Sequence, residues 1–344
     1  MRGFSTTRLA GIDIARGFAV LTMFVAHVAP QAGGGVAGIV LDVAGGERPR
    51  TVFAVAGGIA LGLFVQSALR RGVPIGELRR SIAVRGVFLI ALGLLLQTMS
   101  SGVSVVLDTW GVLFLVALPF LRVPNRWLLV AAAVLLVAGT AITVAFEQPL
   151  IVYTTLHTEW LQVGDWAVTG SYPLLTWLGL LAIGYAVSRL ALTERRTQLL
   201  LIAVGVVLML GIAARLVFDE KTFGFELSVH VAAAGFAVAL VAALLFVTTG
   251  DSPVPRVITV ILTPLRAVGA MPLTIYTAHV VALTFWRSDG APGYATWWPF
   301  ILLTLASLVV ATLWRLFLGQ GPLERLTALL SRPRPAPRAA HARP

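Results

Sequence analysis

Cysteine is absent from this chain of 344 residues, and lysine occurs once, at Lys221. The lack of cysteine excludes disulfide bonds, thiolate nucleophiles and sites in which cysteine binds zinc or an iron–sulfur cluster. Charged residues are also few, at 12% of the chain. No phosphate-binding loop and no dinucleotide-binding fingerprint occurs. We therefore expect neither a metal nor a redox cofactor.

Apolar residues make up 58% of the chain, and its mean hydropathy is +0.90. Stretches of about 20 residues with few charges, long enough to cross a bilayer as a helix, recur along its whole length. In lipid only a helix or a closed barrel satisfies the backbone, and long unbroken apolar runs indicate helices. We predict an all-α integral membrane protein, a single bundle of about ten transmembrane helices, at residues 10–29, 51–69, 83–99, 104–121, 127–146, 172–191, 198–217, 228–248, 267–286 and 298–317.

The predicted spans leave no room for a separate soluble domain. Residues 1–320 are predicted to form one transmembrane domain, and residues 321–344 a cytoplasmic segment. The start of this segment predicts a short amphipathic helix on the membrane surface, because it carries leucines at helical spacing, Leu323, Leu326, Leu329 and Leu330. The Pro- and Arg-rich remainder cannot build a core and is predicted to be disordered.

Arginine is distributed unevenly between the two ends of the predicted spans. If the N-terminus lies in the cytoplasm, the other side carries only five basic residues: Arg48, Arg50, Arg215, Lys221 and Arg287. The positive-inside rule then predicts a multi-pass protein of the inner or plasma membrane with both termini in the cytoplasm. The net charge of +11 reflects this asymmetry and an attraction to anionic lipid, so it does not indicate a nucleic-acid partner.

The first span contains three ionisable residues, Asp13, Arg16 and His27. In an α-helix, Arg16 and His27 lie about 20° apart around the axis and about 16 Å apart along it, so all three residues share one face. Such groups are expensive in a membrane and usually face a cavity or a partner. Histidine is suited to proton transfer near neutral pH. The alternative is structural: an ion pair between Asp13 and Arg16, with His27 at the outer interface.

The pattern Arg8-x-x-Gly-Ile-Asp13-x-x-Arg16-Gly, followed by His27, resembles the opening of the transmembrane acyltransferase superfamily. That superfamily includes the acyltransferase-three family of envelope O-acetylases and the relatives of heparan-alpha-glucosaminide N-acetyltransferase. Further stretches are similar to the bacterial branch of the latter, and they follow in order along the chain: Thr51-Val-Phe-Ala-Val-Ala-Gly-Gly-Ile-Ala-Leu, Ser171-Tyr-Pro-Leu-Leu-Thr-Trp-Leu-Gly, Val268-Gly-Ala-Met-Pro-Leu-Thr-Ile-Tyr-Thr-Ala-His279 and Gly321-Pro-Leu-Glu324.

This resemblance implies acyl-CoA as co-substrate, entering from the cytoplasm, and an acceptor, usually a sugar, presented from the other side. Arg16 and His27 match the Arg-x10-His pair of the acyltransferase-three family, in which the histidine is held to be the base. The heparan-type enzymes instead place their catalytic histidine in the loop after the first span, at a position that corresponds to Gly38. No histidine occurs between His27 and His157. Either His27 does this work, or the activity has changed or been lost.

Two further residues are candidates for the site. His279 lies on one helix face with Tyr276 and Pro272, and it is either a second acid–base or acceptor-binding group or a partner in an interhelical hydrogen bond. Arg85 lies just inside the third span, where it either binds a CoA phosphate or extends to the cytoplasmic surface.

The remaining polar residues have simpler interpretations. Asp108 is expected at a solvated helix end, although it could also pair with a buried histidine or arginine. Tyr172 and Trp177 are expected to be interface and packing aromatics, and His230 to be structural. His157, Glu159 and Asp165 share a loop, but their spacing matches no strong metal-binding pattern.

The sequence thus predicts a membrane-embedded, acyl-CoA-dependent acyltransferase. The acyl group is expected to be acetyl, and the acceptor an envelope glycan or a related amine or hydroxyl. Two alternatives remain. One is a transporter or exporter of a small metabolite, with Arg16 and His27 lining the pathway. The other is a catalytically silent membrane protein of the same fold. The oligomeric state does not follow from the sequence.

Overall fold

The computed structural model describes residues 9–30, 46–99, 101–156, 161–211, 213, 217–220, 222–250, 252–288 and 297–333. Throughout these residues the chain forms helices and turns, without a β-strand. The α-helices are α1 (Ala10–Val28), α2 (Glu47–Arg70), α3 (Ile75–Gln97), α4 (Leu107–Ala117), α5 (Asn125–Leu156), α6 (Leu161–Gly164), α7 (Leu174–Val187), α8 (Arg195–Met209), α9 (Phe223–Thr248), α10 (Pro253–Ile261), α11 (Thr263–Ala270), α12 (Pro272–Ser288), α13 (Trp298–Phe317) and α14 (Pro322–Leu330). A 3-10 turn, Leu118–Arg122, continues α4, and a π-helical turn, Asp165–Thr169, follows α6.

Among the described residues, six helices are long and apolar enough to cross a membrane. They are α1, α2, α3, residues Asn125–Glu147 of α5, α9 and α13. Helices α11 and α12 form a seventh candidate if they count as one span, which is bent by 86° where they join. The chain is therefore an all-α membrane protein, and its described part holds six or seven candidate spans.

The structure does not confirm the ten spans predicted from the sequence. The predicted fourth, sixth and seventh spans correspond to α4, α7 and α8, which have 11, 14 and 15 residues. At a rise of about 1.5 Å per residue they are roughly 17 to 23 Å long, shorter than a hydrocarbon core of about 30 Å. Their apolar composition reflects burial in the bundle as well as contact with lipid, as the almost wholly buried α7 shows.

Helix α1 lies inside the bundle, in contact with α2, α9, α11 and α13. Its crossing with α11 is close because both helices present glycine. A Cβ atom on Gly17 would collide with the carbonyl oxygen of Leu265, and one on Gly269 with that of Asp13. This crossing buries Asp13, which is 2% exposed, and it brings α1 against the broken helix.

The chain bends sharply between α11 and α12. Met271 has non-helical dihedral angles (φ −135°, ψ 52°), and Pro272 begins α12. Proline suits the first position of a helix, where its missing N–H leaves no hydrogen bond unmade, but it interrupts a helix that would continue through it. The carboxylate of Glu324 caps the new helix: Oε1 accepts hydrogen bonds from the backbone N–H groups of Leu273 (2.7 Å) and Thr274 (3.1 Å).

Helix α14, Pro322–Leu330, occupies the start of the segment after residue 320. Its outward side carries Leu329 and Leu330, which are 64% and 51% exposed. The residue after it, Ser331, is fully buried against α3: its hydroxyl accepts a hydrogen bond from Nε of Arg85 (2.8 Å), and its carbonyl oxygen accepts one from the hydroxyl of Ser81. The helix is thus docked on the bundle as well as facing outward. Residues 334–344 of the predicted tail lie outside the described residues.

Candidate active site

Two histidines from distant parts of the chain lie in contact. The rings of His27, near the end of α1, and His279, in α12, are stacked with centroids 5.7 Å apart and planes inclined by 12°. Phe24 and Tyr276 flank His279, with centroid distances of 5.0 and 4.8 Å. The one-face arrangement predicted for Tyr276 and His279 is therefore observed, and it is directed toward α1.

His279 is 2% exposed, and both of its ring nitrogens are buried without a hydrogen-bond partner among the described residues. The interhelical hydrogen bond considered from the sequence is thus not seen there. His27 is half-buried. An imidazole that is buried without partners loses hydrogen bonds that it would make in water, and such a cost is common where a ligand or water completes the site.

Tyr276 ties this pair to the loop before α4. Its hydroxyl accepts a hydrogen bond from the backbone N–H of Val106 (3.1 Å) and donates a longer one to the carbonyl oxygen of Ser104 (3.4 Å). These contacts fix the ring of Tyr276 against His279. They also bring Tyr276 close to Asp108, because Asp108 lies two residues after Val106 in the chain.

A cavity of about 270 Å³ extends from Tyr276 toward the end of the bundle at which α1 begins. We call it the arginine cavity, because Arg16 of α1 and Arg85 of α3 both line it. Its other walls are largely apolar and aromatic, and α14 contributes the polar residues Glu324 and Thr327. The remaining lining residues are Phe53, Gly57, Ala60, Leu61, Phe64, Leu89, Leu107, Trp110, Phe114, Pro272, Leu273, Gln320 and Ala328. Arg16 and Arg85, both candidate site residues from the sequence, thus share one cavity.

The Arg85 side chain contacts two other side chains, those of Phe64 and Ser331, and does not extend freely to the surface. Its guanidinium lies over the ring of Phe64 at 4.3 Å, and only its Nε atom donates to Ser331. The side chain is therefore held in the cavity by the packing of its guanidinium face on Phe64 and by the hydrogen bond from Nε to Ser331. Its two terminal nitrogens have no hydrogen-bond partner among the described residues, so they are available to an anionic group.

A second cavity, of about 470 Å³, lies at the opposite end of the bundle, and we call it the Asp108 cavity. Its lining is Gln97, Met99, Gly102, Val103, Ser104, Val105, Asp108, Thr109, Gln162, Asp165, Trp166, Gly170, Ser171 and Tyr172. Oδ2 of Asp108 accepts three hydrogen bonds: from Nε2 of Gln97 (2.8 Å), Nε2 of Gln162 (3.0 Å) and Nε1 of Trp166 (2.7 Å). Asp108 is 1% exposed, so the expectation of a solvated helix end is wrong.

Tyr172 closes one side of the Asp108 cavity. It is buried and packs edge-to-face on Trp177 at 4.9 Å, as expected for packing aromatics. Burial raises the pKa of Tyr172 to about 12, against an opposing effect of the nearby Arg50. The phenol therefore stays neutral near pH 7. Arg50 itself packs on the Tyr172 ring at 5.9 Å and pairs with Glu47.

Other sequence-predicted residues have different positions. Asp13 is buried beside α11 and does not line the arginine cavity. His230 accepts or donates a hydrogen bond at Nδ1 with the hydroxyl of Thr140 (3.1 Å), which agrees with a structural role. Several positions lie outside the described residues: Gly38, His157, Glu159, Lys221 and His341. No group of three potential metal ligands occurs in the described part of the chain.

Three contributions to these cavities were missed from the sequence. Trp110 lines the arginine cavity, and its buried Nε1 has no hydrogen-bond partner in the described residues. Gln97 and Gln162 bind Asp108 from separate segments. Only Trp110 gave a local signal, as a polar aromatic two residues after an aspartate in an apolar span. The glutamines share no spacing with Asp108 that sequence could detect.

Residues 8–218 match the family model of the heparan-alpha-glucosaminide N-acetyltransferase catalytic domain. This match covers more than half of the chain. The chain belongs to this family. No curated protein matches it. Family membership confirms the resemblance seen in the sequence, and it indicates a membrane acetyltransferase.

The part of the chain that matches the heparan-alpha-glucosaminide N-acetyltransferase family runs from α1 through α8, so it contains Arg16, His27, Arg85 and Asp108. The candidate site also includes Tyr276, His279 and Glu324. These three residues lie beyond residue 218, where the match ends. The contacts between α1 and the α11–α12 pair join these two parts into one bundle.

Proposed function

We propose that this protein transfers an acetyl group from acetyl-CoA, bound in the arginine cavity, to an amine or hydroxyl acceptor that reaches His27 from the opposite end of the bundle. One observation carries the proposal. Arg16 and Arg85 share a cavity that ends at Tyr276, and Tyr276 contacts His279, which stacks on His27. Along this path from the arginine cavity, the arginines that would bind the donor come first, and the histidines that would accept a proton come last.

The arginine cavity suits an acyl-CoA donor. Members of the family use acetyl-CoA. Guanidinium groups bind phosphates through paired, charge-assisted hydrogen bonds, and Arg16 and Arg85 would supply them. The apolar walls, including Phe64 and Trp110, would cover the uncharged part of the donor. The buried N–H of Trp110 would donate to a carbonyl oxygen of that part.

The chemistry needs a base at the acceptor. In the transfer, the acceptor nitrogen or oxygen forms a bond to the acetyl carbon, the carbon–sulfur bond breaks, and the acceptor loses a proton. His27 takes that proton and the CoA sulfur leaves as a thiolate, which is protonated in turn. His279 lies against His27 and would hold its ring in position. The acceptor would be an envelope glycan or a related molecule.

We expect direct transfer, with donor and acceptor bound together. The chain has no cysteine to carry a thioester and no Gly-x-Ser-x-Gly elbow, and the role of a base demands less of His27 than an acyl-histidine would. Initial rates measured with purified protein should give intersecting lines in double-reciprocal plots. Parallel lines would indicate a covalent intermediate. Radiolabel retained on denatured protein after incubation with labelled acetyl-CoA alone would also contradict direct transfer.

Transport is a second candidate, because one observation favours it. The α11–α12 pair is bent by 86°, and broken helices are common at the binding sites of transporters. Proteoliposomes containing an amine acceptor, supplied outside with acetyl-CoA labelled differently in its acetyl and adenine parts, distinguish the two functions. A transferase retains only the acetyl label inside. A transporter of the donor accumulates both labels in equal amounts.

A further inference from the structure

An apolar groove lies where α4 and α7 end and α5 begins. Every residue in its lining is alanine, leucine, phenylalanine or tyrosine. We call it the Leu128 groove, and its lining includes Leu61, Phe120, Leu128, Ala131, Leu135 and Tyr185. Phe120 is 41% exposed, so the groove opens to the outside of the bundle. Its volume of about 40 Å³ is roughly three times what one water-sized group needs, so it takes a few methylene groups of a chain.

The turn between α4 and α5 forms one end of this groove, and α7 holds it in place. The hydroxyl of Tyr185 donates a hydrogen bond to the carbonyl oxygen of Leu121 (2.8 Å). The guanidinium of Arg189 donates to the same oxygen (3.1 Å) and to the carbonyl oxygen of Val123, and it lies over the Tyr185 ring at 4.8 Å. Both terminal nitrogens of Arg189 are thus bonded to the turn, so Arg189 helps to build the groove.

Two other arginines flank the groove. Arg122 directly follows Leu121, and Arg126 comes two residues before Leu128. Both are exposed, and neither has a salt-bridge partner in the described part of the chain. Aspartate and glutamate are absent from the segments that line the groove, residues 54–70, 117–136 and 178–193. The groove therefore joins an apolar lining to positive charge that no nearby carboxylate in these segments balances.

We propose that the Leu128 groove binds an anionic glycerophospholipid, with part of one acyl chain in the groove and the headgroup phosphate between Arg122 and Arg126. Arginine binds phosphate through paired, charge-assisted hydrogen bonds, and basic pockets between membrane helices bind anionic headgroups. Trp127, which is 57% exposed beside Arg126, suits the level of the headgroups, because tryptophan is enriched at membrane interfaces. A zwitterionic lipid brings a second, positive group to the two arginines and so binds more weakly.

The Leu128 groove is distinct from the arginine cavity, although Leu61 of α2 lines both. A chain seated in the groove therefore contacts a residue that also forms the wall of that cavity. The inference does not rest on the proposed function, because lipid binding is measured without acetyl-CoA. A failure of acetyl transfer and a failure of lipid binding are thus separate results.

Native mass spectrometry of the full chain in a neutral detergent tests the binding, with phosphatidylglycerol and phosphatidylcholine of identical acyl chains as probes. We expect the first phosphatidylglycerol to bind about tenfold more tightly than the first phosphatidylcholine, which corresponds to roughly one charge-assisted contact. The double variant Arg122→Gln/Arg126→Gln should lose that preference. The control Arg196→Gln/Arg256→Gln removes two exposed arginines outside the groove, with the same change of charge, and should keep it.

The apolar half of the site is tested separately by filling the groove. Ala131→Trp puts a large ring where the acyl chain would lie, so it should weaken the binding of phosphatidylglycerol about tenfold. Ala133→Trp, which is exposed on the same helix and outside the lining, should leave the binding unchanged. Thermal unfolding shows whether each variant is folded. If Ala131→Trp is not, the exposed arginine pair still decides the question.

Three results would overturn the inference. One is equal affinity of the unaltered protein for the two lipids. Another is an unchanged preference in folded Arg122→Gln/Arg126→Gln protein, or an equal loss in the control pair, which would show that total charge attracts the lipid. The third is displacement of phosphatidylglycerol by an equal concentration of sn-glycerol 3-phosphate, which has the phosphate but no acyl chain; that would show a site for free anions.

Discussion

At the scale of single residues, the two histidines of the pair are not equivalent. His279 is enclosed by Phe24, Tyr276 and His27, and it is 2% exposed. His27 is only half-buried, at the end of α1. A base must receive a proton and release it in each cycle, so the more accessible ring suits that role. The enclosed ring of His279 suits positioning of His27.

Arg85 gives the sharpest residue-scale prediction. If its guanidinium binds a donor phosphate, Arg85→Ala should raise the KM for acetyl-CoA about 10- to 100-fold, which corresponds to the loss of one charged hydrogen-bond contact, with little change in kcat. Arg85→Lys should restore part of the affinity, because a point charge replaces a planar fork. Steady-state kinetics with varied acetyl-CoA measures both.

The matched control is Arg79→Ala, which removes an exposed arginine near the start of the same helix. Its KM should be unchanged. An equal rise in KM for Arg79→Ala would show that general surface charge attracts the donor. An unchanged KM in Arg85→Ala would show that Arg85 serves only to hold Ser331.

Residue patterns within one helix were predicted well, and relations between helices were not. The spacing that put Tyr276 and His279 on one face follows from helix geometry alone, and the structure confirms it. That Arg16 and Arg85 share a cavity depends on how α1 and α3 pack, which spacing within each helix does not contain. Asp108 was placed in solvent because its three partners come from α3, α6 and the turn after α6.

At the scale of helices, the number of predicted spans is not confirmed where apolar composition has two causes. Helices α7 and α8 are apolar, but most of α7 is buried by protein, and both helices are shorter than a hydrocarbon core of about 30 Å. The mean hydropathy of a segment is high both for a helix that is buried in protein and for a helix that faces lipid, so it does not distinguish the two. The bend after Met271 was also missed, although Pro272 was visible, because the preceding and following segments read as one apolar run.

Glu324 provides the element-scale prediction. Its carboxylate caps α12 and also binds the hydroxyl of Thr274 (2.5 Å), so it couples α14 to the helix that carries His279. Glu324→Ala should lower the free energy of unfolding by about 1–3 kcal/mol, because two backbone N–H groups lose their acceptor. Glu324→Gln, which keeps an acceptor oxygen, should lose less. Thermal unfolding in detergent measures the difference.

The comparison variant is Glu77→Ala. Glu77 pairs with Arg80 at 3.0 Å near the surface, and such pairs contribute about 0–1 kcal/mol. Its midpoint should fall less than that of Glu324→Ala. Equal midpoints for the Glu324→Ala variant and the unaltered protein would show that the cap does not hold α12, and that α14 attaches through Ser331 instead.

At the scale of the whole molecule, the first half of α1 and the segment from α14 to Ser331 lie at the same end of the bundle. Ser331 binds Arg85 and Ser81 in the first half of α3, and α14 lines a cavity shared with Arg16 of α1. The arginine asymmetry of the sequence points to the cytoplasm for that side. We therefore predict that a cytoplasmic reporter fused to the C-terminus is active. Activity of a periplasmic reporter at that position would reverse the orientation.

Whether His27 is the base is tested most directly by the rate of acetyl transfer from acetyl-CoA by purified His27→Ala protein. A positioned base contributes about 100- to 10,000-fold, so the rate should fall by that factor while acetyl-CoA binding stays close to normal. His230→Ala, which alters a histidine bonded to Thr140 away from the pair, should keep the full rate. A full rate in folded His27→Ala protein would contradict the account.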